Sequence, residues 1–328
     1  MRHRLQAAIC TDLPFRYDSV YAGSIEAQIR DLTDLRPAVL TTREIRSGNA
    51  DLSEIEVIFG TWGITKFTES DLDQMPRLSA VFYAAGSVRS FAENLFKRGI
   101  TVCSAWQANA YPVAEFALAH ILLGCKGFFR NSAALRHPAA SNWRGDAPLG
   151  PGIYQQRIGL IGQGAIGKKV LKLLEPFDLL PVTFDSYPTL DMDELAEIFR
   201  TCQVVTNHLA DKPHLRKIFT ADLFRLMPEG ATFINTGRGA QVHEADLVRV
   251  MRERPDLTAI LDVTDPEPPL HDSPLRQLPN IHLSSHISGS INQETHRMSE
   301  YMIEEFKRWS LGQPLQHEVS PQEFALLA

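Results

Sequence analysis

The sequence predicts an α/β protein built from two doubly wound parallel-sheet domains. Its length of 328 residues suggests two domains of ordinary size. Short apolar runs alternate with amphipathic helical segments along the whole chain, which favours parallel strands joined by helical crossovers. A glycine fingerprint, Gly162-Gln-Gly164-Ala-Ile-Gly167, opens the second run of such units.

The first hundred residues contain five apolar runs short enough to be strands, with helical patterns between them. The predicted strands are 6–10, 38–41, 57–60, 80–83 and 101–104. The predicted helices lie near 19–30, 69–74 and 89–97. This alternation predicts the first sheet domain.

A second alternating block follows a stretch, 137–153, whose Pro, Gly, Ala and Asn content predicts a loop. The predicted strands of this block are 157–161, 181–184, 204–207, 232–235, 259–261 and 281–283. The predicted helices are 167–174, 192–200, 221–226, 244–253 and 292–311, after an apolar core helix over 113–123. The segment between Asp185 and Asp193 is short enough for one strand or its connection to be missing.

Composition excludes several classes of protein. Hydrophobic residues make up 44% of the chain and charged residues 22%, and the net charge is −6 without a basic patch, so we expect no nucleic-acid partner. No run of about 18 apolar residues predicts a membrane helix. The early apolar run over 7–10 is too short for a secretory signal, and we expect a cytoplasmic protein.

Cysteine and histidine spacing indicates neither disulfides nor a metal site. Cys10, Cys103, Cys125 and Cys202 are far apart, which predicts reduced thiols. His282 and His286 are four residues apart, a spacing that would bring two ligands together only on a helix, and their surroundings are not helical. No metal is expected.

The glycine fingerprint predicts a dinucleotide site because it follows an apolar strand and opens a helix. Gly162 would permit a tight turn, Gly164 would let the backbone approach a pyrophosphate, and Gly167 would let helix and strand pack closely. The helix N-terminus attracts phosphate. The loop positions between these glycines are predicted to contact the same cofactor: Gln163, Ala165 and Ile166.

An acidic residue ends the next predicted strand. Asp185 lies 18 residues after Gly167, where a carboxylate can accept both ribose hydroxyls of the adenosine and repel the 2′-phosphate of NADP. A turn followed by a surface acid is the alternative explanation. The strand, helix and acid together favour NAD as the cofactor.

Three further segments follow predicted strands and carry candidate catalytic groups. They are Asn235-Thr-Gly-Arg238-Gly, Asp262-Val-Thr-Asp-Pro-Glu267-Pro and Ser284-Ser-His286-Ile-Ser-Gly. Taken singly, each has an ordinary explanation that is at least as good: a surface loop charge for Arg238, a solvated acid for Glu267 and a structural histidine for His286. Together they suit reduction of a keto acid: a guanidinium holds a carboxylate, an imidazolium donates a proton, and a neighbouring carboxylate orients the imidazole and raises its pKa.

These motifs in this order resemble the D-isomer-specific 2-hydroxyacid dehydrogenase family, which includes glyoxylate/hydroxypyruvate reductases, D-lactate dehydrogenases and phosphoglycerate dehydrogenases. The resemblance covers roughly residues 57–311. It implies a Rossmann NAD-binding domain over 110–296, inserted in a flavodoxin-like substrate-binding domain formed by 1–109 and 297–328. It also implies a homodimer and a small 2-hydroxy or 2-keto acid substrate.

The resemblance assigns a role to each site residue. Arg238 would bind substrate, Glu267 would partner the histidine, and His286 would be the acid/base. Further cofactor contacts would come from residues that follow strands: His208, Leu209, Thr236, Gly237, Asp262, Ser288 and Gly289. Contacts to substrate would come from the first domain: Trp62, Gly86, Ser87 and Val88. Asp262 would fix the nicotinamide carboxamide.

Four positions depart from the family pattern without removing a catalytic group: Arg89, Trp106, Gln107 and Ala210. Two other functions remain open. The chain is also similar to transcriptional corepressors that share this fold and keep the triad, so an NAD-sensing binding protein is the alternative. Formate oxidation is disfavoured, because formate dehydrogenases have Gln at the position of Glu267.

Overall fold

The computed structural model describes residues 4–136 and 147–326. The chain forms two compact units, one of residues 1–109 with 290–328 and one of residues 110–289. The sequence places the return to the first domain at residue 297, a boundary that stays a prediction. Most of the predicted loop over 137–153, namely 137–146, lies outside the described residues.

The first unit contains a five-stranded parallel sheet. Its strands are β1 (Gln6–Cys10), β2 (Asp34–Leu35), β3 (Val57–Gly60), β4 (Ala80–Tyr83) and β5 (Thr101–Ser104). Their order across the sheet is β2-β1-β3-β4-β5, the flavodoxin-like arrangement. The three central strands are almost entirely buried, because helices cover both faces of the sheet.

Helices of the first unit pack on the two faces of that sheet. They are α1 (Pro14–Val20), α2 (Ser24–Leu32), α3 (Thr42–Ser47), α4 (Glu69–Asp73), α5 (Glu93–Lys97), α12 (Glu294–Ser310) and α13 (Pro321–Leu326). On one face, Met298, Met302 and Phe306 of α12 join the apolar residues of α2 and β3 in one core. On the other face, the core includes Ile45 of α3 and Leu95 of α5.

Two predictions for the first unit were wrong. The segment 38–41 is not a strand: Leu40 makes only an isolated bridge to Cys10, and the edge strand is the two-residue β2. The segment 19–30, predicted as a single helix, belongs to two helices. Gly23, with φ of +72°, lies between them and interrupts the helical conformation. Left-handed backbone of this kind cannot continue a right-handed helix.

The second unit contains a six-stranded parallel sheet. Its strands are β6 (Gln156–Ile161), β7 (Leu179–Phe184), β8 (Val204–Asn207), β9 (Thr232–Asn235), β10 (Thr258–Leu261) and β11 (Ile281–Leu283). Their order is β11-β10-β9-β8-β6-β7. β6 therefore has β7 on one side and β8 on the other, which is where the winding of the chain reverses.

β7 is an edge strand of this sheet. The usual dinucleotide-binding order has one more strand outside the second, and among the described residues no strand pairs with the outer side of β7. The side chain of Leu180 in β7 is accordingly exposed. The missing strand agrees with the short segment between Asp185 and Asp193.

Helices also cover both faces of the second sheet. They are α6 (Trp106–Cys125), α7 (Phe128–Leu135), α8 (Ala165–Leu174), α9 (Met192–Thr201), α10 (Ala221–Leu226) and α11 (Glu244–Glu253). Ala117 and Ile121 of α6 pack with Val170 of α8 on one face. Phe199 of α9 and Phe224 of α10 pack on the other.

Among the described residues no single helix is long and apolar enough to cross a membrane. α6 and α7 meet that test only when they are taken together, and they are bent by 61° relative to each other. In the structure, Ile121 and Cys125 of α6 are fully buried in the core of the second unit.

Candidate active site

The candidate residues of the second unit gather at one edge of its sheet. All neighbouring strands are parallel, so their carboxyl ends lie at the same edge. The residues that immediately follow the six strands are Gly162, Asp185, His208, Thr236, Asp262 and Ser284. Ligands of doubly wound sheets bind at this edge, next to the point of reversal.

Glycine is required at two positions of the fingerprint loop. Gly162 has φ of +96°, and a Cβ atom there would lie 2.7 Å from the carbonyl carbon of His208. A Cβ atom at Gly167 would lie 1.9 Å from the carbonyl oxygen of Gly162. The loop can therefore turn tightly against the end of β8 only with these residues.

The beginning of α8 suits a phosphate group. Gly164 is the N-cap, and no side chain caps the helix. The first turn of α8 carries no acidic residue. Apart from its chain neighbours and the backbone of α8, no described atom lies within 4 Å of the position that a Cβ of Gly164 would occupy. Unpaired N–H groups facing open space at a helix N-terminus can hold a pyrophosphate, so the residues fit a dinucleotide.

Asp185 is attached to the same loop. Its Oδ2 atom accepts a hydrogen bond of 2.9 Å from the backbone N–H of Gln163. This contact fixes the carboxylate at the end of β7 while its Oδ1 atom keeps the capacity to accept ribose hydroxyls. In dinucleotide-binding folds an acid that bonds the adenosine ribose stands at the end of this strand, and that role for Asp185 stays a prediction.

His208 lies buried between two threonine hydroxyls. Its Nε2 atom is 3.1 Å from Oγ1 of Thr206, and its Nδ1 atom is 3.0 Å from Oγ1 of Thr236. Burial lowers the pKa of His208 to about 3, because the protonated ring would lose its hydration. The side chain is therefore a neutral structural group at ordinary pH, and its contact to the cofactor stays a prediction.

A buried amide network holds the segment that carries Arg238. The side chain of Asn207 donates to Oδ1 of Asn235 at 2.9 Å and to Oε1 of Gln241 at 2.7 Å. Gln241 in turn donates to the carbonyl of Ala210 at 2.8 Å and accepts from the backbone N–H of Arg238 at 3.2 Å. The three amide side chains are almost completely buried, so each depends on the others for hydrogen bonds.

The network also reaches two neighbouring residues that are predicted to contact the cofactor, Leu209 and Gly237. Oδ1 of Asn207 accepts the N–H of Leu209 at 3.1 Å, and Oδ1 of Asn235 accepts the N–H of Gly237 at 3.1 Å. Arg238 is half-buried, and its Nη1 atom donates to the carbonyl of Gly237 at 2.7 Å. The rest of the guanidinium fork remains available to a carboxylate.

Asp262 fixes the loop that carries the candidate acid/base. Its Oδ1 atom accepts the hydroxyl of Ser284 at 2.6 Å and the N–H of Ile287 at 2.8 Å, and its Oδ2 atom accepts the N–H of Ser288 at 2.9 Å. Burial raises the pKa of this carboxyl, but the hydrogen bonds outweigh it and the net pKa is lowered. Asp262 thus stays ionised, and Oδ2 keeps room for one further donor.

His286 and Glu267 form a hydrogen-bonded pair beside that loop. The Nδ1 atom of His286 is 2.7 Å from Oε1 of Glu267. Their side chains are 51% and 44% exposed, so Nε2 of the imidazole can reach a ligand. His286 has φ of +58°, and its N–H donates to the carbonyl of Asp262 at 3.0 Å. Backbone held in this sparsely populated region is frequent at functional sites.

His282 and His286, the two histidines four residues apart, contact different side chains. His282 lies in β11, where its ring is 4.8 Å from that of Phe129. Burial is the main reason that its pKa is lowered. No group of three His, Cys, Asp or Glu side chains within residues 4–136 and 147–326 has the geometry to hold a metal ion.

The candidate substrate loop of the first unit follows β4. Thr61 donates to the carbonyl of Ala84 at 3.1 Å, and the hydroxyl of Ser104 donates to the carbonyls of Ala85 and Gly86. Within the described part of the chain, the N–H groups of Gly86 and Val88 have no acceptor. Such N–H groups can bind a carboxylate.

Sequence reasoning missed two residues of this arrangement. Gln241 connects the Arg238 segment to Asn207, and Thr206 contacts His208. Neither belongs to a motif, and each was recognisable only by its contacts. Of the predicted residues, the nucleotide loop, Asp185, Arg238, Glu267 and His286 belong to the second unit, whereas Trp62 and the loop 86–88 belong to the first.

Comparison with known proteins places this geometry in a family. The family model described as "D-isomer specific 2-hydroxyacid dehydrogenase, NAD binding domain" matches residues 118–288. The chain is 29% identical over 270 residues to YoaD from Bacillus subtilis, a protein named as a 2-hydroxyacid dehydrogenase; the match covers 75% of this chain and 74% of YoaD.

Two further relatives match this chain over different shares of their own length. The chain is 25% identical over 298 residues to D-3-phosphoglycerate dehydrogenase from Methanocaldococcus jannaschii, covering 87% of this chain but 55% of that relative. It therefore spans about half the length of that protein. The solved structure of the TT0316 protein from Thermus thermophilus superposes with a TM-score of 0.75 at 24% identity, over 96% of this chain and all of that one, and indicates a common fold.

Proposed function

We propose that this chain, which belongs to the D-isomer specific 2-hydroxyacid dehydrogenase family, uses NAD rather than NADP as its cofactor. The proposed reaction is hydride transfer between nicotinamide and C2 of a small D-2-hydroxy acid or 2-keto acid. We propose Arg238, Glu267 and His286 as the catalytic residues. We also propose that the protein is a homodimer, and the family resemblance is the only support for this part.

One observation carries this proposal: the hydrogen bond of 2.7 Å between His286 and Glu267. It lies at the carboxyl edge that also carries the fingerprint loop and Arg238. A half-exposed imidazole held by a carboxylate on one nitrogen presents its other nitrogen as a proton donor or acceptor. His286 also has a left-handed backbone, a conformation that is frequent at functional sites.

In keto-acid reduction, Arg238 binds the substrate carboxylate and polarises the adjacent carbonyl. His286 donates a proton from Nε2 to the carbonyl oxygen as negative charge develops there. Glu267 holds the ring through Nδ1 and compensates the charge of the protonated form. In the oxidation direction, neutral His286 accepts the hydroxyl proton and Glu267 keeps the same hydrogen bond.

The residues of the fingerprint loop would hold the dinucleotide, whose bound reduced form supplies the hydride. The start of α8 would bind the pyrophosphate, and Asp185 would accept the ribose hydroxyls. A carboxylate at this position disfavours the 2′-phosphate of NADP by charge repulsion. This repulsion is the basis for proposing NAD.

The test is a panel of 2-keto acids assayed with NADH and NADPH and the purified protein. Turnover of at least one keto acid, faster with NADH and yielding the D-hydroxy acid, supports the proposal. NADH binding without turnover of any member of the panel would instead identify the alternative, a binding protein that senses NAD(H).

A further inference from the structure

Arg16 lies at the carboxyl edge of the first unit's sheet, the edge that also carries the loop 86–88. It belongs to α1, which follows β1. The segment between them is attached to the turn after β3: the N–H of Asp12 donates to the carbonyl of Gly63 at 2.9 Å, and Thr11 donates to the carbonyl of Trp62 at 2.7 Å. These contacts place Arg16 next to Trp62.

The guanidinium of Arg16 has an aromatic partner but no acidic one. Its Cζ atom lies 4.4 Å from the centroid of the Trp62 ring and 5.0 Å from that of Phe15. Its Nε atom is buried without a hydrogen-bond partner. Five other arginines of this unit each form an ion pair with a carboxylate: Arg30, Arg46, Arg77, Arg98 and Arg308. No acidic side chain within the described residues pairs with Arg16.

Arg16 is close to the candidate substrate loop. Trp62 packs against the core that contains Tyr83, Ala85 and Val88. Burial raises the pKa of the Tyr83 hydroxyl, and the positive charge of Arg16 opposes that rise. The cation is therefore close enough to influence the residue at the end of β4, just before the loop.

We propose that Arg16 binds a second anionic group, a carboxylate or a phosphate, at the far end of the substrate. This inference rests on the proposed function and narrows it to 2-keto acids that carry two negative groups. A partly desolvated guanidinium without a counter-ion is unfavourable, and an anionic ligand compensates it. The Trp62 ring holds one face of the guanidinium by a cation–π contact and leaves its in-plane N–H groups for a bidentate partner.

The test compares pairs of keto acids that differ mainly in the charge of the far end. The carboxylate pair is 2-oxoglutarate with its amide, 2-oxoglutaramate; the phosphate pair is 3-phosphohydroxypyruvate with hydroxypyruvate. The protein should favour the charged member of at least one pair by about tenfold or more in kcat/KM, the size expected for a charge-assisted contact. The pair that shows the preference identifies the anion.

The variants are Arg16→Gln, Arg16→Lys and the matched control Arg36→Gln. In Arg16→Gln the ratio of kcat/KM for the charged over the uncharged member should fall close to one. Arg16→Lys should retain part of the preference because the positive charge remains. Arg36 belongs to the same unit and also has a buried Nε atom without a partner. Its backbone N–H bonds the carbonyl of Ala7, near the start of β1, so Arg36→Gln should keep the preference. Melting temperatures verify folding.

A preference in the wild-type protein that Arg16→Gln abolishes supports the inference. Equal turnover of both members of each pair by the wild-type protein would overturn it and leave the dehydrogenase proposal intact. A preference that survives at full size in folded Arg16→Gln would also overturn it. Absence of turnover with every keto acid would defeat the proposed function, and this inference with it.

Discussion

The Nδ1 atom of His286 lies 2.7 Å from Oε1 of Glu267, and the two residues are 19 positions apart in the chain. If His286 is the proton donor, His286→Ala should lower kcat/KM for keto-acid reduction by about 100-fold or more. NADH affinity, measured by fluorescence titration, should change little because Gly162 and Asp185 are untouched. Near-normal turnover would rule out His286 as the acid.

Glu267→Gln keeps the shape of the side chain but removes its charge. We expect kcat/KM for reduction to fall by about tenfold or more, since hydrogen bonds to charged groups contribute about 1.5–3 kcal/mol. Asp265→Asn is the matched control: Asp265 is in the same segment, and its exposed side chain pairs with Arg216. Equal losses in the two variants would mean that general disturbance of the loop, rather than the His286 contact, causes the effect.

Arg238→Lys should reduce kcat/KM by about 30-fold, corresponding to about 2 kcal/mol. Lysine keeps the charge but lacks the planar fork that binds a carboxylate through two N–H groups. The measurement is steady-state kinetics with one keto acid, alongside Arg216→Lys, which alters an exposed arginine of the same unit. Activity of Arg238→Lys within about twofold of the wild-type protein, a loss well under 1 kcal/mol, would place Arg238 outside the substrate site.

Asp185→Ala should narrow the preference for NADH over NADPH. The wild-type protein should favour NADH because the carboxylate, bonded to the N–H of Gln163, repels the 2′-phosphate. The measurement is the ratio of kcat/KM for the two cofactors. A wild-type protein that prefers NADPH would contradict the role of Asp185.

Gln241→Leu should destabilise the protein by about 2 kcal/mol or more. The change leaves the buried amide of Asn207 and the carbonyl of Ala210 with fewer partners, and an unsatisfied buried polar group costs about 1–3 kcal/mol. Urea unfolding measures the loss, and Gln277→Leu, at an exposed position, is the control. Equal stabilities of the two variants would show that the network contributes nothing.

His208 should make the protein sensitive to acid. Its folded-state pKa is about 3, below the ordinary value of 6.5, so the unfolded chain binds the proton more readily. The neutral, buried state of His208 therefore contributes to the free energy of unfolding. This contribution is fully present above pH 6.5 and decreases as the pH falls toward 3, by up to about 1.4 kcal/mol per pH unit.

The free energy of unfolding at about pH 7.5 and about pH 5.5, on either side of the ordinary histidine pKa, checks this prediction. His208→Gln should remove part of the difference between the two pH values, whereas His271→Gln, at an exposed position, should leave the difference unchanged. An unchanged difference in His208→Gln would mean that other groups account for the acid sensitivity.

The sequence by itself determined most of the strands and the positions of most candidate groups. Central strands such as β3 and β4 are continuous apolar runs, because helices bury both of their faces. Parallel strands then place whatever follows them at one edge, so Asp185, Arg238 and His286 could be assigned to a common edge. The two-residue β2 and the separation of α1 from α2 left no periodic signal of sufficient length.

Only the tertiary structure decided how those groups are held. Asn207 and Gln241 are 34 residues apart, and Asp262 and Ser288 are 26 apart. Hydrogen bonds between such distant residues depend on strand order and loop conformation, which local sequence patterns do not specify. The same holds for the left-handed backbone of His286 and for the stacking of Arg16 on Trp62. Residue types can indicate which chemistry is available, but only packing decides which donor meets which acceptor.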